Sequence, residues 1–399
     1  MRKLSPLKAL FTAQFLSAFV DNMILFIVLA IIKRDAYPDY YLPFVQSTFL
    51  FSYIVLSPWV GRFADQQAKS DVLIIGNIVK AVGVILLCLG IDPAISYAAV
   101  GLGAVIYSPA KYGILPFLTR NETELLKANS GLESYTILAI LTGSVAGGFL
   151  ADISLTLALA VSLLLYGASI GVNTIIPKNP GNPAIGYQNA LREFRSDLAV
   201  LWQNPQSCYS LLGTGSFWLA SAVLRMIIFA WAPLVLGITS GTSISMIIAV
   251  TGVGIAIGAV MTPYLVSIRN YRRTIWFGYA MGGCILAFLS ISSLPAAIIF
   301  LLLIGVLGGI YIVPLNACLQ QVGQLSIGAG KTIAVQNFLE NLFMFAGVGI
   351  YSLAAKGGVS TQAAIGATGT VFLTLVSYML LSSKTKAAAM PVPKGAAKR

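Results

Sequence analysis

The chain has 399 residues, 57% hydrophobic and only 10% charged, with a mean hydropathy of +0.86. Soluble globular domains carry about 25% charged residues, so the composition excludes one and indicates an integral membrane protein. The net charge of +12 would raise nucleic acid as a partner, but the distribution of the basic residues follows membrane topology instead.

An apolar bilayer core of about 30 Å takes about 20 apolar residues per helix. Runs between polar, Pro-rich or Asn-rich breaks predict twelve spans, at 8–32, 44–64, 72–91, 94–117, 128–151, 153–176, 207–236, 243–267, 274–293, 296–320, 330–354 and 361–382. The expected fold is an all-α membrane protein of twelve transmembrane helices in two six-helix pseudo-repeats. Its expected parts are a first bundle at 1–176, a linker at 177–206, a second bundle at 207–382 and a basic tail at 383–399. Of the 25 basic residues, twenty fall at the termini, in the linker or beside even-to-odd connections, and three (Lys33, Arg34 and Lys356) fall on the opposite side. That is the positive-inside pattern, with both termini cytoplasmic.

Span one has a basic start and an apolar run, as a signal peptide does. The run is long, contains Asp21 and lacks a small-residue cleavage site, so it reads as an uncleaved span. A carboxylate at bilayer depth is costly unless paired or hydrated, which makes Asp21, followed by Asn22, a functional candidate. After span two comes Gly61-Arg-Phe-Ala-Asp-Gln-Gln-Ala-Lys69, a turn glycine with an acid four residues on and a base four further. Span three carries Lys80, too deep to snorkel easily and expected to pair with an acid of its own half. Lys111 follows Pro109 in span four, whose missing N–H opens the helix locally. It either meets an anion near the mouth or snorkels as a topology marker. Glu133 stands near Lys127, where an interfacial salt bridge is expected.

Pro177-Lys-Asn-Pro-Gly-Asn-Pro183 breaks helix. Leu191, Phe194, Leu198 and Leu201 then recur at helical spacing among Arg192, Glu193, Arg195 and Asp197, predicting an amphipathic helix along the cytoplasmic membrane surface. Span seven carries Arg225, and span eleven carries Gln336, Asn337 and Glu340. Gly143-x-x-x-Gly147, Gly278-x-x-x-Gly282 and Gly305-x-x-x-Gly309 permit close helix packing. Cys88, Cys208, Cys284 and Cys318 lack metal-ligand spacing, and histidine is absent, so neither a metal, a cofactor nor enzyme chemistry is expected.

Shifting Ala13–Phe26 by 203 residues lays Leu16 on Leu219, Val20 on Val223, Met23 on Met226 and Phe26 on Phe229, and brings the Asp21-Asn22 pair onto Leu224-Arg225. Tyr107 maps to Tyr311, Pro109 to Pro314 and Glu133 near Glu340 at nearly the same offset. One helix written twice, with an acid in one copy and a base in the other, suits a transporter built of parallel repeats.

The 61–69 loop is similar to the one that marks the major facilitator superfamily, with Gln66 and Ala68 departing from the pattern. That resemblance implies that Gly61, Asp65 and Lys69 act in conformational switching, the acid binding neighbouring helix ends. Taken in order, Ala13-Gln-Phe-Leu-Ser-Ala-Phe19 with Asp21-Asn22, Tyr107-Ser-Pro-Ala-Lys-Tyr-Gly-Ile-Leu115, Lys127-Ala-Asn129, Gly143-Ser-Val-Ala-Gly-Gly148 with Ala151-Asp152, Val313-Pro-Leu-Asn316, and Ile333-Ala-Val-Gln-Asn337 with Glu340-Asn341 resemble the bacterial lysophospholipid transporter family, over nearly the whole chain. The resemblance implies inward movement of lysophosphatidylethanolamine and lysophosphatidylglycerol across the bacterial inner membrane, for reacylation by a separate acyltransferase/acyl-carrier-protein synthetase.

On that cargo, Arg225 is the natural phosphate partner. Asp21 and Glu340 would accept an ammonium, or pair with Arg225 and Lys111 in the empty site. Asn22, Gln336 and Asn337 would hydrogen-bond the head group, though amides also hold membrane helices together. The rival is a proton-coupled exporter of amphipathic drugs, because Thr142-Gly-Ser-Val-Ala-Gly-Gly148 nearly reproduces a drug-antiporter signature, with Ser144 in place of proline.

Overall fold

The structure, a computed structural model, describes residues 5–266 and 268–389. The side chains of 122–123, 125–127, 129–130, 133, 268–269, 329 and 383–389 lie outside the described set, and with them the expected contact of Glu133 and the basic tail. The described residues form no strand. The helices of the first half are α1 (Pro6–Arg34), α2 (Tyr41–Gln66), α3 (Lys69–Cys88), α4 (Pro93–Gly113), the short α5 (Leu115–Leu118), α6 (Glu122–Ile153) and α7 (Leu155–Asn173). Within the linker lies α8 (Ala190–Gln203). The second half holds α9 (Pro205–Leu236), α10 (Gly241–Leu265), α11 (Thr274–Ala287), α12 (Leu294–Ser326), α13 (Ala329–Lys356) and α14 (Thr361–Ala389).

Among the described residues, eleven of these helices are long and apolar enough to cross a membrane. The span predicted at 274–293 is the exception: α11 has 14 residues and is lengthened by 3₁₀ turns at Ile268–Arg273 and Phe288–Ser290. Local chemistry sets the breaks. Asp92 caps α4 by accepting from Ala94 N at 2.8 Å, Asn204 caps α9 by accepting from Gln206 N at 2.9 Å, and Gly237 ends α9 at φ 67°, where a side chain would be strained.

Helices α1, α3, α4, α6 and α7 pack among themselves, as do α9, α10, α11, α12 and α14. Small residues let backbones meet. A Cβ at Gly147 would stand 2.5 Å from the Met23 carbonyl of α1, and one at Gly258 would collide with the Val306 carbonyl of α12. The two halves touch along α6 with α10 and α2 with α13. Phe26 and Phe229, equivalent in the repeat, meet across the halves with ring centroids 5.3 Å apart.

The α2–α3 loop, the start of α13 and the linker lie at one end of the molecule, here the linker end. The ends of α1 and α6 and the start of α10 form the far end. Helix α8 packs on the second half through one side of its apolar stripe. Its Phe194 and Leu201 are buried against Leu211, Leu319, Val335 and Leu339 of the second half, while Leu191 at the start of the stripe stays exposed. Its acids then tie both halves: Glu193 pairs with Arg62 of α2 at 2.6 Å and Asp197 with Lys331 of α13 at 3.2 Å.

Candidate functional site

Asp21 sits midway along α1, yet its partner is not the expected Arg225. Lys80 of α3 reaches its Oδ2 at 2.7 Å, and the Tyr166 hydroxyl of α7 donates to Oδ1 at 2.6 Å. The lysine side chain is 2% exposed and the aspartate 20%. Lys80 also donates to Ser17 Oγ at 2.8 Å and stands 4.7 Å from the Tyr107 ring centroid. From Ser17 the network runs on to Asn77 at 2.7 Å, then from Asn77 to Ser169 at 2.9 Å, and from Ser169 to the Ala13 carbonyl at 2.8 Å. Both carboxylate oxygens are thus engaged inside the first bundle, and the buried ammonium is surrounded by acceptors, as a charge taken out of water requires.

Asp21, Asn22, Lys80, Lys111, Arg225 and Asn337 line one central cavity of about 320 Å³, together with Tyr53, Tyr97, Ser108 and Asn341. Among the described residues, no carboxylate stands within ion-pair distance of Arg225. Its described lining residues include three cations, Lys80, Lys111 and Arg225, and one carboxylate, Asp21. Asn22 turns its amide to the Ala18 carbonyl at 2.9 Å, while Asn337 lies on the face of α13 toward the cavity.

Gln336 and Glu340 are not among the lining residues. They occupy the flank of α13 beside that face, where Gln336 Nε2 donates to Glu340 Oε1 at 2.7 Å and to Asn316 Oδ1 of α12 at 2.9 Å. Glu340 is 8% exposed. Helical phase explains the separation, since Asn337, Asn341 and Met344 share one stripe of α13 and position 340 lies beside it.

A second cavity, of about 630 Å³, lies at the linker end between α2, α4, α8 and the start of α13. Tyr53, Ser108, Tyr112 and Asn337 line both cavities and form the partition between them. Gly61 and Asp65 lie on its wall, but a Cβ at Gly61 would meet nothing within 4 Å. Asp65 pairs with Lys69 of its own loop at 3.0 Å rather than with a helix end of the other half, and its side chain is 61% exposed.

The far end ties the halves together. Asp152, at the end of α6, receives the Ser240 hydroxyl at 2.9 Å, Gly241 N at 3.0 Å, and Thr242 N and its hydroxyl at 2.8 and 2.7 Å. It thereby caps α10 of the other half. Lys33 of α1 donates to the Thr239 carbonyl at 3.2 Å, and Ser352 of α13 to the Tyr40 carbonyl at 2.8 Å. The described arrangement ties the halves together at the far end and has a charged centre, with its larger cavity toward the linker.

Sequence reasoning missed Tyr166, Ser17, Asn77 and the capping role of Asp152. The signal for the first three was polar residues at helical spacing inside apolar spans: Ser17 with Asp21, Asn77 with Lys80, and Tyr166 with Ser169 and Asn173.

Residues 10–348 match the family described as Major Facilitator Superfamily. The chain is 44% identical over 361 residues, 90% of its own length and 88% of the relative's, to the lysophospholipid transporter LplT of Pectobacterium carotovorum subsp. carotovorum (strain PC1). It is 42% identical to LplT of Serratia proteamaculans (strain 568), covering 94% of this chain and 95% of the relative. In fold it is similar to a bacterial homolog of the human lysosomal transporter Spinster in an inward-facing, unoccupied conformation, with a TM-score of 0.68 at 14% identity, covering 97% of this chain and 98% of the other. It is likewise similar to a point mutant of the nucleoside transporter NupG, with a TM-score of 0.68 at 11% identity, covering 97% and 100%. With its helical halves, its charged central cavity and this identity across nearly its full length, the chain belongs to the LplT family of the major facilitator superfamily.

Proposed function

We propose that the protein moves lysophospholipids inward across the bacterial inner membrane by alternating access, with the linker end and both termini in the cytoplasm. The observation that carries the reading is Arg225, without a carboxylate partner among the described residues, facing a membrane-embedded cavity that holds two further cations and one already neutralised acid. A guanidinium in a partly desolvated site binds a phosphate through paired charge-assisted hydrogen bonds. Lys111 of the first half, lining the same cavity, adds a second positive contact. Names carried by relatives at 42–44% identity support lysophospholipid as the cargo class.

The cycle needs only binding and rearrangement. In the described state the far end is held by Asp152 and Lys33, and a phosphate bound at Arg225 faces the Tyr53–Ser108–Tyr112–Asn337 partition. Passage into the larger cavity leads it past Arg62 and Lys331 to the linker end. Asp65, Gly61 and Lys69 then take part in the opposite state, when the linker end closes. Asp21, paired with Lys80, and Asn22 line the cavity beside the rest of the head group, Asn337 helps pass it on, and Gln336 and Glu340 support the second-half side of the site. Lysophosphatidylethanolamine and lysophosphatidylglycerol both present the required phosphate, and a separate acyltransferase/acyl-carrier-protein synthetase would consume them on the cytoplasmic side.

The test is uptake of labelled lysophosphatidylethanolamine into proteoliposomes, with and without imposed ion gradients. Protein-dependent uptake, lost in Arg225→Ala while that variant remains folded and inserted, is expected. Uptake at the wild-type rate by Arg225→Ala would refute the assigned role, and no uptake by the wild type would refute the cargo.

A further inference from the structure

We infer that Lys80 sets head-group selectivity by masking Asp21, a role that rests on the lysophospholipid reading above. The central cavity offers a head group one anionic group, Asp21, and that group is already occupied. Lys80 Nζ holds one oxygen at 2.7 Å and the Tyr166 hydroxyl holds the other at 2.6 Å. Lys80 is anchored in turn by Ser17 at 2.8 Å and by the Tyr107 ring at 4.7 Å, so it is not free to swing away.

The two head groups share a phosphate diester, which Arg225 and Lys111 can hold. They differ beyond it: the ethanolamine head ends in an ammonium, the glycerol head in two hydroxyls. An unmasked carboxylate in a cavity of low dielectric would favour the ammonium strongly and repel a head with net negative charge. With Lys80 in place, the Asp21–Lys80 pair contributes no net charge to the cavity, and the phosphate is left to Arg225 and Lys111 among the described lining residues. Lys80 is thus a positioning residue that acts through Asp21, and it makes the transporter indifferent to the group beyond the phosphate.

The test compares uptake of lysophosphatidylethanolamine and lysophosphatidylglycerol with matched acyl chains, in proteoliposomes of the full-length protein. Wild type should carry both. Lys80→Met should shift the initial-rate ratio toward the ethanolamine lipid by about tenfold, the order expected of one unit charge acting across a cavity of this size. Lys80→Arg, which keeps the cation, should hold the wild-type ratio. The double variant Lys80→Met with Asp21→Asn removes both charges and should return the ratio toward wild type. A loss of fold would lower both rates together, so the ratio separates selectivity from stability. Should Lys80→Met not insert, Asp21→Asn alone unmasks the cation instead and must move the ratio toward the glycerol lipid. An unchanged ratio in either single variant, or an ethanolamine bias persisting in the double variant, overturns the inference. Wild-type protein that carries neither lipid overturns the cargo reading instead.

Discussion

Removing the carboxylate at position 152 should open the far end. Asp152 receives four hydrogen bonds from Ser240, Gly241 and Thr242, at 2.7 to 3.0 Å, and two of the donors are backbone N–H groups at the start of α10. Hydrogen bonds to a charged group contribute about 1.5–3 kcal/mol each when buried. These lie at an exposed edge where water competes, so the four together merit about 2 kcal/mol, including about 0.5 kcal/mol from the helix dipole. At about 1.4 kcal/mol per factor of ten, Asp152→Ala should shift the equilibrium toward a far-end-open state by about 30-fold. Spin labels on the exposed native Cys88, at the far end of α3, and on Leu234→Cys of α9 report that opening, once Cys208, Cys284 and Cys318 are replaced. The distance distribution should broaden to longer separations in Asp152→Ala and less so in Asp152→Asn, which keeps an acceptor. Distributions identical to the parent in both variants would refute the reasoning, because the cap would then contribute nothing to closure.

Tyr166→Phe removes one of the two groups that hold Asp21 and should lower lysophospholipid uptake several-fold, about 1–2 kcal/mol, with the folded fraction by size-exclusion chromatography unchanged. Glu193→Ala with Asp197→Ala unties α8 from Arg62 and Lys331; each pair has one partner about half exposed, so thermal stability should change by only about 1 kcal/mol, and proteolysis of the linker should accelerate. Gly258→Val drives a side chain into the Val306 carbonyl and should destabilise the second half by about 3 kcal/mol or more, seen as a lowered melting temperature in detergent. Gly61→Ala, inside α2 where a Cβ meets nothing within 4 Å, should raise stability by about 0.5–1 kcal/mol.

Most spans and both deep charges are legible in the sequence because membrane helices must be apolar throughout, so one misplaced charge stands out. Pairing is less legible. Asp21 and Arg225 have equivalent places on repeated helices, which suggests a mutual contact, yet α1 packs against α7 and comes near α3, and Lys80 reaches Asp21 first. A cross-helix partner depends on how three helices meet, which no single helix encodes. Gln336 and Glu340 need a phase that one residue of uncertainty destroys, since each step turns a side chain by about 100°. Apolar length says nothing of 3₁₀ ends, so α11 has the sequence of an ordinary span. Asp152 stands out in the sequence only as part of a family motif, because a cap on another helix has no local signature beyond an acid after an apolar run.

Phe26 and Phe229 are one residue of the repeat, found twice, and they touch. In a two-fold assembly a residue meets its own equivalent only near the symmetry axis, where one patch is complementary to itself. An ancestral unit of six helices, pairing with a second copy of itself, would have made the same aromatic contact with two identical side chains. In this chain that contact ties the two halves at a symmetric point, and Asp21 and Arg225 lie about one helical turn further along the same two helices, where the halves differ in charge without touching it.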